Sequence, residues 1–332
     1  MTTTLLPPSI DDVTRRDVLV GGLSLAALLA GHGNAGAAER GAAGFPRTVQ
    51  TGLGPVQIPS APERIVTLGA EADAVIALGR APVAMDGGFP DPSEVDPWLV
   101  DRLGGAEVDL LDLSAEVPFE RIAAARPDLI LAGTFLAIDE HYERLSAIAP
   151  TITYARGAGI DTWQEQTLLI GRALAAEEAA RAAVARVESR IDRTRPDLQG
   201  RTYSLSFYYE PGAIAVVAKP EDAAVVFFQS LGLKLAPGLE PLTHAPGGDA
   251  AIIGLEQLSL LDADLLIMTH ASPELRQAIE ANPLFTSLPA VSQGGYVPVD
   301  LPVITALRIP SILRVTYALD ELVPEFAEAL RR

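Results

Sequence analysis

Two carboxylates at matched places are the best pointer to chemistry in this chain. Residues 118–131 read PFERIAAARPDLIL, and residues 254–267 read GLEQLSLLDADLLI. Glu120 stands early in the first segment and Glu256 in the second. Each is followed eight positions on by an aspartate, Asp128 or Asp264, and then by an apolar run. The pattern predicts a short amphipathic helix feeding a buried parallel strand, whose two covered faces need continuous apolar residues. It comes once in each half, so it predicts two lobes of like construction. An acid at the same place on each predicts a two-point docking surface for a basic partner.

Catalytic constellations are scarce by comparison. The chain has no G-x-S-x-G elbow, no G-x-x-x-x-G-K phosphate loop and no G-x-G-x-x-G opening a helix. His141, His244 and His270 are far apart and lack the spacing of a metal motif such as H-E-x-x-H. His270 ends an expected strand and reads as a structural histidine; His141 reads as solvated on a helix face. With no cysteine at all, disulfides, zinc–thiolate sites, a thiol nucleophile and a lipid-anchored cysteine are excluded.

Binding residues are easier to nominate. Open α/β sheets take ligands at the carboxyl ends of their strands. That rule selects the loop Asp86–Phe89, the Gly133-Thr134-Phe135 turn, Tyr208-Tyr209, and the stretch from Asp300 to Arg308. Phe89, Phe135, Tyr208 and Tyr209 offer flat apolar area suited to a bulky, partly aromatic guest. Arg308 brings a planar cation suited to an anionic oxygen, or to an acid on the surface. Neighbours on a strand point opposite ways, so one of the two tyrosines is expected in a core.

These residues need a frame. A hairpin is expected over 48–58, then strands at Arg64–Leu68 and Pro82–Met85 around a helix at Glu71–Leu78. The first repeat gives a helix and strand to residue 132, followed by a helix over Ile138–Ala147 and an extended Thr151–Tyr154. Asp161 reads as the cap of the next helix. Residues 177–195 read EEAARAAVARVESRIDRTR, strong helix formers ended by Pro196, a rod on the order of 30 Å. Strands at Thr202–Tyr208 and Ala213–Val217, a helix at Asp222–Leu231, the second repeat, a helix at Pro273–Ala281 and a strand at Gly295–Val299 follow. One or two helices around Pro324 close the chain. The fold class is therefore α/β: two Rossmann-like lobes with mostly parallel sheets, 45–175 and 198–332, joined by a single long helix at 176–197.

The N-terminus carries Arg15-Arg16 before an apolar stretch and then Ala35-Gly36-Ala37, the form of a cleavable signal peptide over 1–37. The arginine pair points to the twin-arginine route, with an ordinary secretory signal as the alternative. The formal charge is −18. An acidic chain without a basic stripe argues against nucleic acid and anionic lipid as partners. Export without a lipid anchor points to a periplasm between two membranes.

The strings APERIVTLG (61–69), ALGRAPVA (77–84), FERIAAARPDLILAG (119–133), ERLSAIAPTI (143–152), LEQLSLLDADLLIM (255–268), PLFTSLPAV (283–291) and ALRIPSILRVTYALDELVP (306–324), taken in order, carry a resemblance. The chain resembles the periplasmic solute-binding proteins of ABC transporters that deliver iron(III)–siderophore complexes, and their cobalamin and haem relatives. The resemblance implies a class III arrangement, two α/β lobes bridged by one helix with the ligand in the cleft. It implies a monomeric binder rather than an enzyme, with a ferric siderophore as guest and the ABC importer's permease subunits as partners. It implies no resident cofactor, since iron arrives inside the guest. Glu120 and Glu256 would insert among permease arginines, and Phe135 and Arg308 fall in cleft-lining segments. The cleft loops hold few cations (Lys219, Arg156, Arg308), which favours a hydroxamate or mixed carboxylate siderophore over a tricatecholate. Haem, ligated by Tyr208 or Tyr209, is an alternative within the class; an exported α/β enzyme is the alternative outside it.

Overall fold

A computed structural model describes residues 44–114, 116–158, 160–242 and 250–331. The signal-peptide reading and His244 lie outside the described residues.

In chain order, a hairpin of β1 (Arg47–Thr51) and β2 (Gly54–Ile58) precedes β3 (Ile65–Thr67), α1 (Glu71–Ala77), β4 (Ala84–Asp86), α2 (Pro97–Val100), β5 (Asp109–Leu111), α3 (Phe119–Ala124), β6 (Leu129–Leu131), α4 (Ile138–Ser146) and β7 (Thr151–Ile152). Next come α5 (Trp163–Ala173) and the long α6 (Glu177–Leu198). The second half holds β8 (Thr202–Glu210), β9 (Ala213–Val216), α7 (Ala223–Ser230), β10 (Lys234–Leu235) and β11 (Ala251–Ile253). A 3-10 helix, Leu255–Leu261, then leads to β12 (Leu265–His270), α8 (Pro273–Glu280), α9 (Pro283–Thr286), α10 (Pro289–Ser292), β13 (Tyr296–Pro298), α11 (Leu301–Arg308) and α12 (Ile312–Ala329).

The first half forms a five-stranded sheet in the order β5-β4-β3-β6-β7, parallel throughout. The second forms a six-stranded sheet in the order β11-β9-β8-β12-β13, with β10 also on β8. There β9 runs antiparallel to its neighbours β8 and β11, while β12 and β13 run parallel. Both sheets carry the apolar runs expected of strands covered on two faces: β6 is buried throughout and β12 is buried up to His270.

The repeat has a structural meaning in its aspartates. Asp128 accepts from the backbone N–H groups of Glu63 (2.7 Å) and Arg64 (2.9 Å), just before β3. Asp264 accepts from the N–H (2.7 Å) and hydroxyl (2.9 Å) of Thr202 at the start of β8. β6 pairs with β3 and β12 with β8, so each acid ties its own strand to the amino end of the neighbouring central strand. These donors would otherwise have no ladder partner at the strand ends.

Several boundaries differ from the sequence expectation. Pro196 lies inside α6, which continues to Leu198; one missing N–H in a final turn costs little beside the burial of Leu198. Thr162, not Asp161, caps α5, in a capping box with Glu165. Pro324 likewise sits within a continuous α12. The second repeat's helix is 3-10, and β5, β10 and α11 lie in stretches expected as loop.

At 22 residues, α6 is about 33 Å long. One apolar core runs through α5, α6 and α12 and includes side chains of both sheets, among them Leu129, Leu131, Leu205 and Ile267. The last helix, α12, packs on α1 and α2 of the first half as well as on α6 and α11. The halves are therefore linked twice, once by the connecting helix and once by the returning C-terminal one.

Candidate functional site

The carboxyl edge of the first sheet carries three loops that present apolar side chains to solvent. Phe89, after β4, is 60% exposed; Leu136, after β6, is 75% exposed; Ile160, after β7, is 61% exposed. Ile309, directly after α11 in the second half, is 46% exposed. Leaving large apolar groups in water at a strand edge is unfavourable unless something covers them in use. Leu136 and Ile160 were missed by sequence reasoning, which searched these loops for aromatic and charged residues only.

Buried polar groups fix these loops. Gly69 has φ +93°, and a Cβ there would stand 2.5 Å from the Thr134 hydroxyl. The bare backbone lets the Thr134 turn close in, and Ala70 N–H donates to the Thr134 oxygen (2.8 Å). Glu71, wholly buried, accepts from Thr134 N–H (2.6 Å), the Thr134 hydroxyl (2.9 Å) and the Gln166 amide (3.2 Å). Burial pushes its carboxyl up to about 7 against the pull of those donors. Phe135, next in the chain, is half-buried and stacks on His141 at 6.0 Å. His141 also meets Phe119 edge-on at 5.6 Å, so it is packed between two rings rather than solvated. In the β4 loop, Phe89 N–H donates to Asp96 (3.2 Å).

Strand β8 separates the two tyrosines. Tyr203, Leu205 and Phe207 occupy one face of β8 and Tyr208 the other, while Tyr209 falls at a register shift between Tyr208 and Glu210. Tyr208 is only 4% exposed, packed in the second sheet's outer core, and its hydroxyl takes a 3.4 Å bond from Gly212 N–H. It is the core member expected of the pair, which corrects the nomination of Tyr208 as a ligand contact, and a haem-ligating role for Tyr208 loses its access. Tyr209 is half-exposed, with its ring 6.0 Å from Phe207. Phe207 joins the candidates.

The charges at this edge are paired. Arg308 lies 3.4 Å from Asp222, whose other role is to cap α7 through Ala224 N–H. Its expected place against a ligand is thus shared with a protein acid. Arg156 lies on Glu165 (2.5 Å) and Asp161 (3.7 Å). Sequence reasoning missed the third arginine, Arg314 of α12. It sits over the Trp98 ring (4.9 Å) between Asp73 of α1 (3.4 Å) and Asp96 (3.5 Å), joining the two halves. Burial raises the carboxyls of Asp73 and Asp86 to about 6 each, although the nearby Arg314 pulls both down. His270, half-buried beside Tyr296 (3.2 Å), is pushed down to about 4 by burial and stays neutral.

Glu120 and Glu256 are both exposed. Each stands in the first turn of a helix that leads back to the amino end of a parallel strand, so each lies towards the carboxyl edge of its own sheet. Among the described residues, no helix is long and apolar enough to cross a membrane.

The comparisons with known proteins agree with this arrangement. The sequence pattern of the periplasmic binding protein family matches residues 65–297. The ferric enterobactin-binding periplasmic protein FepB of Escherichia coli O6:H1 is 27% identical over 283 residues, 80% of this chain and 87% of FepB. Among solved structures, a periplasmic solute-binding protein of Mycobacterium smegmatis has a TM-score of 0.72 and 27% identity, covering 85% of this chain and 98% of that one. The siderophore periplasmic binding protein from the fuscachelin gene cluster of Thermobifida fusca has a TM-score of 0.63 and 26% identity, covering 82% and 98%. These relatives are binding proteins rather than enzymes. Two open sheets spanned by one helix, with an apolar edge between strand ends and no catalytic motif, fit that company, and the chain belongs to the periplasmic binding protein family.

Proposed function

We propose that this chain captures an iron(III)–siderophore complex between the carboxyl edges of its sheets and hands it to an inner-membrane ABC importer. The observation that carries this reading is the band of exposed apolar side chains at that edge, Phe89, Leu136, Ile160 and Ile309. They stand where open α/β sheets take ligands. The names of the E. coli and T. fusca relatives support the class of guest. Phe89, Phe135 and Tyr209 form the aromatic walls, and the guest supplies all ligands to its iron, so the protein needs no resident cofactor and performs no reaction.

Glu120 and Glu256 dock on basic permease subunits, where exposed rim charges set orientation and association rate more than affinity. The protein is exported by the twin-arginine route and works in the periplasm as a monomer. The shared core and the α12 cross-link allow only a small movement of one half against the other on capture.

Replacing Glu120 and Glu256 together by alanine tests the reading. Ferric siderophore binding, followed through Trp98 and Trp163 fluorescence, should stay within about 2-fold of wild type, while uptake by cells should fall at least about 10-fold. Loss of binding in the variant, or undiminished uptake, would contradict the docking role. Failure of wild type to bind any ferric siderophore would contradict the capture role.

A further inference from the structure

We infer that Arg314 is a positioning residue for the guest, a buried strut that holds Phe89 of the first half and Ile309 of the second at a fixed spacing. This deepens the capture reading and rests on it. One guanidinium reaches a loop of the first half and a turn of the second, and each carries an exposed apolar side chain of the ligand edge.

The link to the first half runs through Asp96. It stands at the N-cap of α2, where an aspartate ordinarily accepts from its own helix, yet its carboxylate makes no capping bond. One oxygen accepts from Phe89 N–H (3.2 Å) and the other from Arg314 Nη2 (3.5 Å). The loop between is closed on itself. Gly88 N–H donates to the Glu94 carbonyl (2.8 Å), and a Cβ at Gly87 would stand 2.0 Å from the Pro92 carbonyl oxygen. A loop closed so tightly sets Phe89 wherever its Asp96 base is held.

The link to the second half is direct. Arg314 lies in the first turn of α12, where its N–H donates to the Ser311 hydroxyl (3.2 Å). Its Nη1 donates back to the Ile309 carbonyl (3.3 Å), in the turn between α11 and α12. Nε lies 3.4 Å from Asp73 of α1, and the guanidinium sits over the Trp98 ring at 4.9 Å. Arg314, Asp73 and Asp96 are all buried, so swinging the fork away strands two acids. Only a planar fork addresses all of these partners together; a lysine ammonium keeps the charge and gives up at least one rim. Packing alone does not require this, because α12 already meets α1 and α2 through apolar side chains. What Arg314 adds is polar bonds to the two segments that carry Phe89 and Ile309.

The test is a mutant cycle on the exported protein, with affinity measured by calorimetry. Ferrichrome, ferrioxamine B and ferric enterobactin are the probes, and the one that wild type binds most tightly is used throughout. Arg314→Lys should weaken binding by about 10-fold in the wild-type background. In a Phe89→Ala/Ile309→Ala background, where no rim side chain is left to position, the same change should cost under about 2-fold. A merely structural arginine would lower stability and give equal effects in the two backgrounds. Equal losses, or wild-type affinity in Arg314→Lys, therefore overturn the inference and leave capture intact. Should Arg314→Lys not fold, Asp96→Asn decides, since it keeps an acceptor for Phe89 N–H and removes the charge facing Arg314. A loss of about 10-fold is expected there too, and undiminished affinity overturns the strut. If wild type binds none of the three probes, the capture reading falls and this inference with it.

Discussion

Replacing Glu71 by glutamine isolates the buried carboxylate that holds the Thr134–Phe135 turn. In the folded protein burial lifts this group to about 7, from an ordinary value of 4.5. Between those two values the folded chain binds a proton that the unfolded chain does not, so stability falls as pH rises. The full effect is about 3 kcal/mol, at about 1.4 kcal/mol for each pH unit crossed. It is absent below about pH 4.5, where both states are protonated, and complete above about pH 7. Asp73, buried and raised to about 6, acts in the same direction.

Glutamine removes the titration and keeps an acceptor for Thr134 N–H. It loses acceptance from the Thr134 hydroxyl or from Gln166, at about 1 kcal/mol for each bond. Urea unfolding at pH 5 and pH 8 should therefore show Glu71→Gln about 1–2 kcal/mol less stable than wild type at pH 5, and equal or more stable at pH 8. Wild type should lose stability over this interval by about 3 kcal/mol more than the variant. If the two profiles run parallel, burial does not lift the Glu71 carboxyl in the folded state and the reasoning about the turn fails.

The other expectations follow the same logic. Arg314→Met strands Asp73 and Asp96 and should cost about 3–5 kcal/mol at pH 8, and less at pH 5 where Asp73 takes up a proton; urea unfolding at both pH values reads this. A loss that is equal at both would contradict the charge explanation. Tyr208→Ala should cost about 3–5 kcal/mol by opening a cavity, whereas Tyr208→Phe should leave siderophore affinity unchanged. Tyr209→Ala should shift stability by under about 1 kcal/mol and weaken binding by about 10-fold or more. A reversal of these roles in titration and unfolding would show that β8 presents its other face to the guest.

The elements most legible in the sequence were those written in long apolar runs and strong helix formers. Strands β6 and β12 and helix α6 are of this kind, because burial on two faces and helix propensity leave local marks. The matched aspartates of the repeat were visible as a pattern, but their bonds to residues 63, 64 and 202 depend on strand neighbours far away in the chain. Pro196 misled the boundary of α6 because tertiary packing outweighs a single lost bond, and the same packing settles the open choice at Pro324 in favour of one helix. At the candidate site, the choice of loops came from topology and was within reach, while the facing of side chains was not. Alternation predicts that one of Tyr208 and Tyr209 is buried without saying which. Arg314 escaped because its partners, Asp73 and Asp96, lie more than 200 residues earlier, and α12 reads locally as an ordinary amphipathic helix.

The central claim concerns a place, so the most direct measurement locates the iron. A crystal of the mature protein grown with a bound ferric siderophore, with data collected at the iron absorption edge, yields one anomalous peak per chain. That peak is expected between the carboxyl edges of the two sheets, with Phe89, Phe135 and Tyr209 against the chelate and no protein side chain coordinating the metal. A peak anywhere else on the molecule, or iron bound directly by protein side chains, would contradict capture at this edge.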